Sequence, residues 1–223
     1  MDKEYPSISF ENRITKIKYN IEELGNLAIK SNKEVISLFD CYDEKLYNNI
    51  LNRSKEIDIK AVDLERECIT FMATEQPVAH DLIFIESATR VISHIKRIGR
   101  LLMKTAESIK NIQKIEISDK IIKELICMGN YVQDMLEKSV YAFLNQDMQK
   151  ARQLAIDDDE VDEIYDSILA QTMLMIENKE IISHFMDLIL LARNFERIAD
   201  KTVNIGSRII FMQTFKRPDI ESE

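Results

Sequence analysis

The sequence predicts an all-α fold of two tandem antiparallel three-helix bundles, six long helices in all. Only four glycines and three prolines interrupt the 223 residues, so residues that form turns are scarce. Apolar residues recur at steps of three and four positions, which is the period of one helix face. The second half of the chain also repeats motifs of the first half in the same order, which indicates a duplicated unit.

The helix boundaries in the first half follow from capping residues and a proline. Ser9 is predicted to cap a first helix that ends near Phe39, and Asp43 is predicted to open a second that continues to about Ala73. Pro77 is predicted to lie in the first turn of a third helix, where its missing N–H costs nothing.

The second half shows the same arrangement. Ser118 is predicted to cap a fourth helix that ends near Asn145. A fifth helix is predicted from about Asp147 to Asn178, and a sixth from there to about Met212. Helices of about 30 residues are roughly 45 Å long at 1.5 Å per residue, so each unit is predicted to be an elongated up-down-up bundle.

The internal repeat is visible as three pairs of matching motifs. At an offset of 104 positions, Leu24-Gly25-Asn26 falls on Met128-Gly129-Asn130, and Ile57-Asp58 falls on Val161-Asp162. At an offset of 100 positions, Arg97-Ile98-Gly99-Arg100 falls on Arg197-Ile198-Ala199-Asp200. The repeat predicts a first unit at residues 1–114 and a second at 115–214, followed by a polar tail at 215–223 that is expected to fray.

Composition narrows the classes of partner and the compartment. The formal net charge is -9, and no Lys/Arg cluster in the sequence indicates a phosphate-binding stripe, so nucleic acid is not an expected partner. No signal-peptide pattern and no uncharged stretch of about 18 residues is present, so we expect a cytoplasmic protein that is not integral to a membrane. Cys41, Cys68 and Cys127 lack disulfide or zinc-site spacing and are expected to be reduced packing residues.

Two pairs of acidic residues are the strongest candidates for a binding site. Glu196 and Asp200 lie four positions apart at the edge of an apolar stripe, and Asp158 and Asp162 repeat this arrangement on the preceding helix. Partly buried carboxylates repel one another and need positive charge nearby to stay ionised. Oxygen ligands suit Mg²⁺, Ca²⁺, Mn²⁺ or ferric iron, and zinc also accepts carboxylates.

Nearby arginines offer an alternative to a metal ion at this site, and the histidines are weaker candidates for a binding site. Arg193 and Arg197 are close enough along the same helix to neutralise Glu196 or Asp200 without any ion. The three histidines are isolated in the sequence, so we expect surface or packing roles for His80, His94 and His184.

Two segments of the second half and one of the first carry a resemblance to a known family. The segments AIDDDEVDEIYDSI (155–168) and LARNFERIADKTVNIG (191–206) resemble the second repeat of the PhoU family, with its acidic DxxxD helix and its RxxERIxDxxxNI helix. The stretch EQPVAHDL (75–82) is similar to the family's QQPxAxDLR, with Ile83 where arginine is usual. The resemblance runs from about Phe10 to Met212.

The resemblance implies two three-helix bundles side by side that hold multinuclear clusters of iron or zinc type. The implied metal ligands of the second repeat are Asp158, Asp162, Glu196 and Asp200. Arg193 and Asn204 are the residues implied to orient these ligands.

The first repeat departs from the family pattern. Ser54 stands where the second repeat has Asp158, while Lys96 and Arg100 stand at the two acidic positions of its third helix, so only Asp58 remains acidic. Positive charge at ligand positions disfavours a cation. We therefore predict that the first metal site is lost and that Lys96 or Arg100 pairs with Asp58 instead.

The function implied by the resemblance is that of a cytoplasmic negative regulator of phosphate uptake, which is not an enzyme. Implied partners are the ATPase subunit of a phosphate ABC transporter and a sensor kinase, with membrane association only through those partners and a homodimer left open. One alternative is an accessory protein of a different phosphate transporter, or a stand-alone metal-binding protein. Another is a metal-dependent hydrolase that uses the carboxylates to activate water.

Overall fold

The computed structural model describes residues 8–113, 117–174 and 182–216, and these contain six helices and no strand. The helices are α1 (Ile8–Asp40), α2 (Glu44–Glu75), α3 (His80–Ile112), α4 (Asp119–Asn145), α5 (Met148–Leu174) and α6 (Ile182–Thr214). The all-α prediction is confirmed. The predicted unit boundary at residues 114 and 115, the predicted junction of the last two helices near Asn178, and most of the tail lie outside the described residues.

Two of the predicted helix starts are formed by the expected caps. The Asp43 carboxylate accepts a hydrogen bond of 2.8 Å from the Lys45 amide at the start of α2. The Ser118 hydroxyl accepts one of 3.4 Å from the Ile121 amide at the start of α4. Each cap satisfies an amide that has no partner within its own helix.

Two other predicted starts are wrong. Ser9 lies inside α1 rather than before it, because the helix already includes Ile8. Pro77 precedes α3 instead of occupying its first turn. Gln76 ends α2 in a left-handed conformation with φ of 46°, and Ala79 has a φ of 49°, so the chain changes direction on both sides of the buried proline.

The six helices pack as two three-helix bundles with one shared core. Helices α1 to α3 contact one another within the first unit, and α5 and α6 pack with α4 in the second. Contacts between the units join α1 to α4, α3 to α6 and no other pair within the described ranges, so α2 and α5 lie on the outside. The buried apolar residues form one continuous cluster through both units.

The same helix contact is made twice where the units meet. A Cβ atom on Gly25 of α1 would lie 2.7 Å from Val140 Cγ2 of α4. A Cβ atom on Gly129 of α4 would lie 2.9 Å from Ile36 Cγ1 of α1. Because each residue of one pair is offset by 104 positions from its counterpart in the other, the two contacts are related by an approximate two-fold axis.

Cysteine positions differ from the expectation of three packing residues. Only Cys68 is buried, whereas Cys41 just beyond α1 and Cys127 on α4 are exposed. None of the helices in the described ranges is long and apolar enough to cross a membrane.

Candidate functional site

The two acidic pairs come together where the outer helix α5 packs against α6. The pKa of Asp158 is raised to about 7, first by burial and then by the charges of Asp162 and Asp200, with a smaller effect from Glu196. Carboxylates from both helices therefore influence one another, as the sequence predicted. A carboxyl group with such a pKa carries a proton for part of the time near neutral pH.

The remaining carboxylates of this acidic cluster show the same effect. Burial is the main cause of the raised pKa of Asp162, and Asp200 is the next. The pKa of Glu196 is also raised by burial and by Asp200, and is lowered to a lesser degree by Arg193. Asp200 is thus the shared neighbour that couples the two helices.

Positive charge close to these carboxylates is sparse. Asp158, Asp162 and Glu196 form no ion pair with any residue in the part of the chain that the structure describes. The Asp200 carboxylate lies 3.9 Å from the Lys201 ammonium, at the outer limit for an ion pair. The Glu196 Oε2 atom is buried without a hydrogen-bond partner. Such an atom is costly in a protein interior unless something outside the chain satisfies it.

The nearby arginines do not bind the cluster directly. The pKa of Arg193 is raised first by its hydrogen bond with Tyr165 and then by the charge of Glu196. Arg197 acts on Glu196 only through space and lowers its pKa weakly. Neither arginine forms an ion pair with a carboxylate of the described residues, so the alternative of direct neutralisation by Arg193 or Arg197 is not observed.

Asn204, the second residue that the resemblance implies to orient the ligands, lies one helical turn after Asp200. Its amide Nδ2 donates a hydrogen bond of 2.6 Å to the backbone carbonyl of Asp200, four residues earlier in α6. This bond ties the Asn204 side chain to the backbone of Asp200, while no hydrogen bond to the Asp200 carboxylate is present among the described residues.

The acidic cluster suits a cation in charge and in donor type, but its side chains do not form a closed ligand set. Within the described residues, no three His, Cys, Asp or Glu side chains are placed to hold one metal ion. The fit rests on the mutual repulsion of the four carboxylates and on the unsatisfied Glu196 oxygen. A metal ion at this site therefore remains a prediction.

At the equivalent place in the first repeat, ion pairs replace the acidic cluster. Arg100 Nε donates to Asp58 Oδ1 at 2.7 Å, so one of the two predicted pairings is present. Lys96 binds a different residue, with its ammonium 3.0 Å from both carboxylate oxygens of Glu65. Cationic side chains from α3 thus form ion pairs with acids of α2.

Breaking the pair of Asp58 and Arg100 should cost little stability. Both side chains are partly exposed, at 36% and 55%, and exposed ion pairs contribute about 0–1 kcal/mol. We expect a coupling energy below about 1 kcal/mol in a double-mutant cycle of Asp58→Asn and Arg100→Gln, measured by urea unfolding. A coupling well above this value would contradict the assignment of a screened surface pair.

A basic groove between α3 and α6 was missed by the sequence analysis. It has a volume of about 390 Å³ and is lined by Leu101 and by five basic side chains, Arg97, Arg100, Lys104, Arg197 and Lys201. The sequence shows no such Lys/Arg cluster because the groove combines two helices about a hundred positions apart. The signal was present in the repeat, since Arg97 and Arg197 occupy matching positions on helices that pack together.

His94 lies close to two cations of this groove, Arg97 and Lys201. Its pKa is lowered to about 4, first by burial and then by the nearby charges of Arg97 and Lys201. Its Nδ1 atom is buried without a hydrogen-bond partner. His94 therefore packs at an interhelical position in its neutral form, as expected, while His80 is exposed and the side chain of His184 lies outside the described part.

The fold and the site together define a duplicated three-helix-bundle protein with an acidic cluster between α5 and α6 of its second unit. The family model described as "PhoU domain" matches residues 21–109 and again residues 125–209. The chain belongs to the PhoU family, and the resemblance predicted from its motifs is confirmed.

Known relatives match along nearly the whole chain. A protein of Methanothermobacter thermautotrophicus named "Phosphate-specific transport system accessory protein PhoU homolog 1" is 41% identical over 98% of this chain and 100% of its own length. The Escherichia coli protein "Phosphate-specific transport system accessory protein PhoU" is 24% identical over 91% of this chain and 84% of its own length. The crystal structure of PhoU from Pseudomonas aeruginosa superposes with a TM-score of 0.86 at 25% identity, covering 93% of this chain and 100% of that one.

Proposed function

We propose that this protein is an accessory regulator of phosphate uptake that acts as a helical adaptor on a phosphate transporter. The observation that carries the proposal is the end-to-end match, at 41% identity, to a phosphate-specific transport accessory protein. A likeness of fold alone would not support a function. Here the match covers 98% of this chain and 100% of the relative.

The proposed partners are the ATPase subunit of a phosphate ABC transporter and a sensor kinase, on which the adaptor exerts negative regulation. Such a role places the protein in the cytoplasm, where ATPase subunits lie, and brings it to the membrane only through its partners. The two bundles share one continuous core, which suits docking with little loss of conformational entropy on binding.

The outer helix α2 offers an apolar surface for such docking. Ile59, Val62 and Ile69 are exposed by 65%, 41% and 57%, and their steps of three and seven residues place them on one face of the helix. Because α2 contacts only α1 and α3 and these side chains are exposed, the other described helices leave this face uncovered. Exposed apolar residues grouped in this way are typical of protein interaction surfaces.

Binding to the transporter tests the adaptor role directly. We expect the purified protein to retain the ATPase subunit of the phosphate transporter of its own organism, and Ile59→Ser/Ile69→Ser to weaken this binding about tenfold or more, because central apolar contacts dominate interface energies. Thr70→Ala, at an exposed position next to Ile69, serves as the control. Retention of a different phosphate transporter alone would favour the second candidate, an accessory of that transporter.

The acidic cluster is proposed to hold a metal ion or cluster of iron or zinc type, while Mg²⁺, Ca²⁺ and Mn²⁺ accept the same donors. The residues that would hold it are Asp158, Asp162, Glu196 and Asp200. The cation would supply the positive charge that the four carboxylates lack, and would thereby stabilise the packing of α5 on α6. The support for this is the raised pKa of Asp158 and the unsatisfied oxygen of Glu196.

Metal content distinguishes the cluster from other acidic residues of the same helices. We expect elemental analysis of protein purified without chelators to find metal that is lost in Glu196→Ala/Asp200→Ala. The double variant Glu160→Ala/Glu163→Ala removes the same charge from exposed positions of α5 and should keep the metal. Equal metal content in native protein and in Glu196→Ala/Asp200→Ala would sink the proposal.

A further inference from the structure

The basic groove between α3 and α6 has the properties of an anion site. Its lining includes three arginines and two lysines but no acidic residue. This concentration of positive charge occurs in a chain with a formal net charge of -9, so it does not follow from overall composition. We propose that the basic groove binds a small ligand that carries linked phosphate groups.

The charges of the groove are largely available to a ligand. Arg97, Lys104 and Arg197 form no ion pair or hydrogen bond within the part of the chain that the structure describes. Arg100 is paired with Asp58, and the Lys201 ammonium is 3.9 Å from Asp200. Like charges held this close destabilise one another, and a bound anion would remove that repulsion.

The side-chain types favour phosphate over other anions. Arginine presents a planar fork that donates two parallel hydrogen bonds to a phosphate, and lysine adds a mobile point charge. The three cations on α3 follow one another at steps of three and four residues, from Arg97 through Arg100 to Lys104. At 1.5 Å per residue they span roughly 10 Å, which is longer than one tetrahedral oxyanion and fits several linked phosphates.

The cations of the groove also act on the neighbouring His94. After burial, the pKa of this side chain is lowered by Arg97 and Lys201, which line the groove, and then by Arg208 and Arg90, two arginines that are ion-paired with Glu86.

A second cavity adjoins the groove and bears on the identity of the ligand. It has a volume of about 530 Å³, shares Arg100 and Lys104 with the groove, and includes the apolar side chains of Ile59 and Met103. Linked phosphates occur in inorganic oligophosphates and in nucleoside polyphosphates. Only a nucleotide would gain additional affinity from this apolar neighbour.

Calorimetric titration of the full-length protein with inorganic tripolyphosphate tests the proposal. Metal is first removed with a chelator, because a cation at the acidic cluster would itself recruit phosphate. We expect saturable binding that weakens as salt is raised, and a loss of about tenfold or more in Arg97→Gln/Arg197→Gln, because bonds between charged groups are the strong ones. Lys30→Gln/Arg152→Gln removes two exposed charges elsewhere and should bind like the native protein.

The other arms of the titration identify the source of the phosphates. If ATP binds more tightly than tripolyphosphate and Met103→Ser removes this difference, the ligand is a nucleotide. If the two affinities are equal, the ligand is an inorganic oligophosphate. The proposal is overturned if neither tripolyphosphate nor ATP shows saturable binding. It is also overturned if Arg97→Gln/Arg197→Gln and Lys30→Gln/Arg152→Gln weaken binding equally, or if an oligoglutamate peptide binds more tightly than both ligands. The test uses metal-free protein and no transporter, so its failure is distinct from failure of the proposed adaptor function.

Discussion

Replacing Asp158 by asparagine should stabilise the metal-free protein at pH 8. The carboxyl group of Asp158 has its pKa raised from 3.8 in the unfolded chain to about 7 in the folded one. The folded state therefore binds this proton more tightly, so the contribution to stability is full below about pH 3.8 and is lost as the pH rises to about 7. Asparagine cannot ionise, so the variant avoids that loss.

The expected gain in free energy of unfolding is calculated from the pKa shift of Asp158 and then reduced for screening by solvent. A full conversion at about 1.36 kcal/mol per pH unit would give roughly 4 kcal/mol, but the side chain is only half buried and solvent screens its neighbours. We expect about 1–2 kcal/mol, or roughly 3–6 °C in Tm for a chain of this size. Thermal unfolding with chelator at pH 4 and pH 8 measures it, with the gain present mainly at pH 8.

Adding a metal ion should reverse the order of stability. A cation at about 100 times its Kd stabilises the native protein by roughly 2.7 kcal/mol, whereas the asparagine variant has lost one proposed ligand and gains less. Asp134→Asn removes one exposed charge from α4 and should show neither effect. Identical melting of the native protein and Asp158→Asn at pH 8 in chelator would show that burial and the neighbouring carboxylates do not disfavour the charged form of Asp158 as inferred.

Gly25→Ala should weaken the contact between the two units. In an exposed helix, alanine in place of glycine adds about 1 kcal/mol of stability. Here the new Cβ would lie 2.7 Å from Val140 Cγ2, closer than real Cβ contacts allow, and overpacking of this kind costs about 1–3 kcal/mol. We expect a net loss of about 1–2 kcal/mol in urea unfolding, opposite in sign to the effect of helix propensity.

A second substitution tests whether the destabilisation by Gly25→Ala is steric. Val140→Ala removes the methyl groups that meet the new Cβ, so the double variant should be more stable than the sum of the two single effects by about 1 kcal/mol or more. Gly206→Ala serves as a comparison, because its Cβ would lie 2.8 Å from the backbone carbonyl oxygen of Ala151. Truncating a side chain cannot remove that contact. Additive effects of Gly25→Ala and Val140→Ala would contradict the close approach.

The candidate site was predictable only in part. Spacing placed Asp158 with Asp162 and Glu196 with Asp200 on their helices, because positions four apart share a face. In the first repeat, basic residues at two of the four acidic positions likewise predicted that Asp58 forms an ion pair. Its partner is Arg100, whereas Lys96 reaches Glu65, a choice that depends on how α3 is rotated against α2.

Local pattern by itself determined the number of helices, the duplication, the caps at Asp43 and Ser118 and the family, because these depend on neighbours within a few positions or on the repeat. Only the tertiary structure decided what lies between helices. It showed that Arg193 and Arg197 form no ion pair with the carboxylates among the described residues. It also showed that α6 presents acids toward α5 while its cations join those of α3 in a groove. Charge interactions depend on distance in space, and the distance between α3 and α6 is set by the packing of the whole core.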